Sequence, residues 1–109
     1  MSFSAPLRVP VELKGSSELR WFKLANEIWD RGLGLSAPVP EELDGPIELA
    51  FHLPGDPKPI RCRGRAEEVV VTYGEEERAE RRELRFLDLD DASRARIEAY
   101  VQERLGLPE

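Results

Sequence analysis

The side chains that most often do chemistry are scarce in this sequence. His52 is the only histidine and Cys62 the only cysteine, so an intramolecular disulfide and the usual His/Cys zinc sites are excluded by counting. His52 sits inside the alternating stretch Gly45 to Leu53 and Cys62 on the apolar phase of another. Neither a Cys-His pair nor a Ser-His-acid triad therefore has a natural assembly. The carboxylates that cluster, Glu41-Glu42, Glu75 to Glu77 and Asp90-Asp91, are expected in solvated loop or cap positions, which do not make a general acid-base pair. The pattern points away from catalysis and from a metal cofactor, towards recognition.

Recognition chemistry is better represented. Arg61, Arg63 and Arg65 alternate and so share one face of a strand, with Glu67 and Glu68 partly offsetting them. Trp21 and Trp29 are the two tryptophans, a residue enriched at interface hot spots. Within the second strand Trp21 shares phase with Lys23 and Ala25, whereas Phe22 shares phase with Leu24, Asn26 and Ile28. This predicts Phe22 in the core and Trp21 outside, with Trp29 at the strand end capping the barrel mouth or facing a partner. A net charge of -6 opposes a nucleic-acid backbone as the main partner.

The elements that must carry these residues read as strands. Arg8 to Lys14 places Val9, Val11 and Leu13 on one face, and Gly15-Ser16-Ser17 ends it. Leu19 to Ile28 reads as a second strand, turned by Asp30-Arg31-Gly32 into a third, Leu33 to Ala37. Gly45 to Leu53 alternates Ile47, Leu49, Phe51 and Leu53, and Pro54-Gly55-Asp56-Pro57 turns the chain back. Pro59 to Tyr73 is a long strand whose phase breaks near Glu67-Glu68, the mark of a bulge. Gly74 to Glu80 reads as an acidic, solvated turn, and Glu83 to Leu89 as the last strand, with Leu84, Phe86 and Asp88 on one side. Asp90 or Asp91 then caps a helix with Ile97, Tyr100, Val101 and Leu105 at helical spacing, stopped by Gly106 and Pro108.

With 109 residues, 40% of them hydrophobic and 35% charged, the chain has room for a single globular domain, placed at residues 6–107. Six antiparallel strands and one C-terminal helix predict an all-β closed barrel, because closure removes strand edges. No apolar run approaches the roughly 18 residues of a membrane helix. The N-terminus lacks a basic stretch followed by an apolar one, so no membrane insertion and a cytoplasmic location are expected.

This order of features resembles the PilZ family: an arginine entering the first strand, the Gly turn leading to Leu33-Gly34-Leu35, Ile47 to Pro54 (IELAFHLP), a glycine-containing strand, Leu84 to Leu89 (LRFLDL) and a terminal helix. The resemblance implies a six-stranded barrel. Many members bind cyclic-di-GMP through Arg-x-x-x-Arg before the first strand and Asp/Asn-x-Ser-x-x-Gly after the second, where arginine forks grip guanine and phosphate, the acid or amide takes guanine N–H donors, and glycine permits an unusual turn. Carried over, Arg8 is similar to the second arginine and Ser4 stands in place of the first. Glu27 takes the acidic position, Trp29 the serine position and Gly32 the glycine position.

One missing bidentate arginine costs about 1–3 kcal/mol and one missing hydrogen bond to a charged group about 1.5–3. Together they weaken binding by on the order of 10² to 10⁴, so cyclic-di-GMP is disfavoured as a ligand. The resemblance then implies an adaptor in bacterial motility, type IV pilus or polarity signalling, with a motor ATPase or signalling protein as partner and Trp21, Trp29, Arg61, Arg63 and Arg65 as the contact surface. The alternative is a divergent cyclic-di-GMP receptor using Arg8, Glu27, Arg31 and Gly32, with Trp29 stacking on a guanine. Neither reading fixes the oligomeric state.

Overall fold

A computed structural model describes residues 3–106. Six strands, β1 (Ala5–Lys14), β2 (Arg20–Trp29), β3 (Gly32–Leu35), β4 (Ile47–Phe51), β5 (Ile60–Tyr73) and β6 (Glu76–Phe86), precede one helix, α1 (Asp91–Leu105). The strands close into an antiparallel barrel in the order β1-β2-β3-β6-β5-β4. The fold is the all-β barrel with a terminal helix that the residue pattern predicts.

The period-two pattern places Val9, Val11 and Leu13 of β1, Ile47, Leu49 and Phe51 of β4, Ile60 of β5, and Leu84 and Phe86 of β6 in the interior. Phe51 and Phe86 stack with ring centroids 6.1 Å apart, filling the middle of the barrel. Asp90 caps α1, its carboxylate accepting a hydrogen bond from the Ser93 N–H, and Gly106 ends the helix in the left-handed region. The helix buries Ile97 and Val101. Tyr100 donates to the Pro6 carbonyl at 3.0 Å, and the Arg94 guanidinium donates to the Asp30 carbonyl at 2.6 Å, which ties the helix to the ends of β1 and β2. The expected domain end at residue 107 and the stop at Pro108 lie outside the described residues.

Several local expectations need correction. Phe22 is 67% exposed, and Trp21 is the residue of the pair that packs on the core. In the register Trp21 faces Leu13 and Ala25 faces Val9, all on the inner surface, but the pairing slips between Ala25 and Glu27, so the inward phase passes from Ala25 to Ile28. Extrapolating the phase of Ile28 backwards across that bulge inverts the strand.

The stretch Gly74 to Glu80 is not an open turn. Gly74 and Glu75 alone make the connection, Gly74 at φ 64°, and β6 starts at Glu76 opposite Tyr73. Asp88 lies past the end of β6, and Leu105 is exposed at the last turn of α1. The third and fourth strands end at Leu35 and Phe51, short of Ala37 and Leu53. The slip between Glu67 and Glu68 falls where the phase break predicts it.

Candidate functional site

The phase change in β2 decides what its far end shows to solvent. With Ile28 buried, Glu27 and Trp29 point out of the barrel on the face of their neighbours Gly34 and Gly32. Two cross-strand rows follow. One runs Trp29, Gly32, Arg85, Arg65, and the adjacent one runs Glu27, Gly34, Glu83, Glu67. The two glycines of β3 have no side chains to fill the middle of the rows, which leaves a trough walled by β2 on one side and by β6 and β5 on the other.

The cavity at this point measures about 180 Å³ and is lined by Trp29, Arg31, Glu67, Glu83 and Arg85. That is smaller than the roughly 300 Å³ at which pre-formed small-molecule pockets begin. Trp29 is half-buried because its indole leans over Gly32, with Cζ2 3.1 Å from where a β-carbon at residue 32 would stand. Gly32 is required for a different reason from the one its position in a turn suggests. Its φ is not positive, and a β-carbon there would run into the backbone carbonyl of Leu84 on β6.

The trough is electrostatically divided. Arg65 and Arg85 stand directly opposite each other, as do Glu67 and Glu83, both unfavourable pairings. A diagonal contact between Arg85 Nη1 and Glu67 Oε1 at 3.7 Å offsets part of this. Glu83 is left between two acids. Burial first, then the charges of Glu67 and Glu27, push its carboxyl above the ordinary glutamate value.

Of the residues the sequence singles out, Trp29, Arg31 and Gly32 meet in this trough, and Glu27 is in its second row. Arg8 is one strand further on: the register slips between Pro6 and Val9, so Arg8 sits exposed in a bulge of β1 across from Asn26. Glu67, Glu83 and Arg85 were not foreseen as site residues. Their signal is the register across three strands, which no local pattern carries.

The three arginines of β5 are all exposed on the outer face, as their alternation predicts. They divide between two places. Arg65 belongs to the trough, whereas Arg61 and Arg63 line a separate cleft of about 470 Å³ with Glu12, Lys14, Glu48 and Asp88. Arg63 is already engaged there. Asp88 accepts from its backbone N–H at 2.6 Å and from Nε at 2.8 Å. These bonds hold the Asp88 carboxyl below the ordinary aspartate value, the backbone N–H first.

Cys62, which also lines this cleft, has its thiol pushed up to about 12 by burial and then by Asp88 and Asp90. It is a thiol rather than a thiolate at neutral pH, the unreactive form. Among the described residues no cluster of His, Cys, Asp and Glu has the arrangement to hold a metal ion, and no helix is long and apolar enough to cross a membrane.

No protein-family model matches the sequence, and no curated protein matches it either. Solved structures do. The chain superposes on the Bacillus subtilis inhibitor of motility MotI/DgrA with a TM-score of 0.73 at 12% identity, over 96% of this chain and 50% of that one, so it spans half the length of that relative. It superposes on the PilZ domain of Escherichia coli YcgR, solved with cyclic-di-GMP, with a TM-score of 0.65 at 16% identity, over 97% of this chain and 89% of that one. Closed strand order, terminal helix and near-complete superposition agree, and this chain has the PilZ-domain fold.

Proposed function

We propose that this chain is a non-catalytic regulatory domain of the cytoplasm that works by docking a protein partner and does not bind cyclic-di-GMP with useful affinity. The observation that carries this reading is the state of the trough where the carried-over Glu-x-Trp-x-x-Gly stretch lies: Trp29 leans over Gly32, and Glu27, Glu83 and Glu67 form an acidic row beside it. A cyclic dinucleotide brings two phosphate charges. Two guanidiniums, Arg31 and Arg85, line the cavity, but one of them contacts Glu67, and Ser4 supplies no guanidinium before β1. Desolvating the phosphates beside three carboxylates adds a cost to the contacts already missing.

The same features suit a protein surface. A half-buried tryptophan flanked by Arg31, Arg65 and Arg85, with carboxylates one row away, resembles an interface centre of aromatic and arginine anchors with a charged rim. The likeness in fold to an inhibitor of motility supports a role in bacterial motility, type IV pilus or polarity signalling, with a motor ATPase or a signalling protein as the partner. Titration calorimetry with cyclic-di-GMP tests the central claim. No micromolar binding is expected, and a dissociation constant in the micromolar range or tighter overturns it.

The second reading, a divergent cyclic-di-GMP receptor, has one observation in its favour: Arg31 lines the same cavity as Trp29, so a replacement guanidinium and a stacking ring adjoin. It requires that Arg31→Ala and Arg8→Ala each abolish binding while the barrel stays folded.

A further inference from the structure

β5 and β6 continue well beyond the barrel. β4 pairs with β5 only as far as Gly64, and β3 pairs with β6 only between Glu83 and Arg85, whereas the β5–β6 ladder runs on to Tyr73 and Glu76. The projecting part is a two-stranded ribbon with two edges, and the two are treated differently.

The β6 edge is covered at its base, where the Val39 N–H donates to the Arg81 carbonyl at 2.7 Å and Arg82 donates to the Ser36 carbonyl at 2.8 Å. Its outer part, Glu76 to Glu80, is charged at every position but Ala79. These are the devices by which natural sheets block edge pairing. The β5 edge has neither. Val69, Val70, Val71, Thr72 and Tyr73 carry no charge, Val70 is 67% exposed, and among the described residues no backbone hydrogen bond joins this segment to anything but β6.

The turn fixes which backbone groups are free. A two-residue connection makes Tyr73 and Glu76 a hydrogen-bonded pair, so the N–H and C=O groups of Val71 and Val69 also point to β6. Those of Glu68, Val70 and Thr72 point away from it. An antiparallel copy of β5 placed about a two-fold axis at Val70 sets Val70 against Val70, Glu68 against Thr72 and Thr72 against Glu68, so all three outward residues of each copy find partners. No two like charges stand opposite each other, and Val70 of each copy meets the other with Ala79 flanking it on the same face.

We propose that this free edge of β5 is a self-association site, at which two copies of the chain join their β5–β6 ribbons into one four-stranded antiparallel sheet. Its self-complementary register selects a second copy over an unrelated extended peptide. The contact involves a few residues from each chain, so the dimer is weak and appears as concentration rises.

Sedimentation velocity over a concentration series tests it. The wild-type chain should pass from monomer towards dimer in the upper micromolar range. Val70→Pro removes the outward N–H on the two-fold axis at an edge position where proline is tolerated, and Val70→Lys keeps the N–H but brings two ammonium groups together. Each variant, shown to be folded by circular dichroism, should stay monomeric at concentrations where the wild type dimerises. A wild-type chain that remains monomeric throughout, or either folded variant dimerising as the wild type does, overturns the proposal.

Discussion

The Trp29 indole and Gly32 occupy the same corner of the trough, with Cζ2 of the ring 3.1 Å from the place a β-carbon at residue 32 would take. The two face each other across the β2–β3 hairpin, whose connection is the dipeptide Asp30-Arg31. On the other side of Gly32 the backbone carbonyl of Leu84 lies still closer to that point. The glycine is what lets β3 approach β6 and what gives the indole a floor to lie on.

Gly32→Ala should therefore destabilise the barrel. The nearest obstacle is backbone that is hydrogen-bonded into the β3–β6 ladder, so it cannot swing aside as a side chain would. Overpacking of this kind costs about 1–3 kcal/mol, to be read as a lower urea midpoint with little change in slope. A variant as stable as the wild type would mean that the strands separate easily here, and the trough with them.

Glu83 gives a prediction with a defined pH dependence. Its carboxyl is raised above 4.5 by burial and by Glu67 and Glu27, so the folded state holds its proton more tightly than the unfolded chain does. The destabilisation is complete above the folded-state pKa and vanishes below 4.5, where both states are protonated. Glu83→Gln removes the charge and keeps the shape. It should be more stable than the wild type at neutral pH, with the advantage shrinking as pH falls through the raised folded-state value and gone below the ordinary glutamate value. Urea unfolding of both proteins across that range checks the sign.

Much of this was legible in the sequence, and what was not has a common cause. Ile47, Leu49 and Phe51 alternate without interruption, and β4 is where they place it. Glu67-Glu68 breaks a regular phase, and the ladder slips there. Asp90 and Gly106 are cap residues by type and are caps in fact. Phe22 fails because the slip after Ala25 is imposed by the neighbouring strands, while within β2 the residues on both sides of it look equally regular.

The start of β6 at Glu76 fails because Glu76 to Glu80 has the composition of a loop, and only pairing with the β-branched end of β5 makes it a strand. The site divides in the same way. Trp29, Arg31 and Gly32 are close in sequence and were found together, whereas Glu83, Arg85 and Glu67 reach the trough through registers between distant strands.

Asp88 supports the last prediction. It fixes the exit from β6 by accepting from both the backbone N–H and the guanidinium of Arg63, and the Leu87 N–H donates to the Arg63 carbonyl at 2.9 Å. Asp56, held first by Arg96 and then by the Lys58 N–H, and Asp90, held by the Ser93 N–H, are like Asp88 in having carboxyls below the ordinary 3.8. A depressed carboxyl contributes stability that is fully present above its unfolded value and is lost as pH falls through the folded one. Stability should stay level with respect to these three groups down to the ordinary aspartate range and decline below it.

Asp88→Asn isolates one share of that decline. The amide oxygen can still accept from the Arg63 N–H, but the charge facing the guanidinium is gone. The variant should be less stable than the wild type at neutral pH and should converge with it in acid, where the wild-type carboxyl is protonated. Urea midpoints measured in parallel give the comparison. A difference that persists unchanged into acid would assign the role of Asp88 to shape alone and not to its charge.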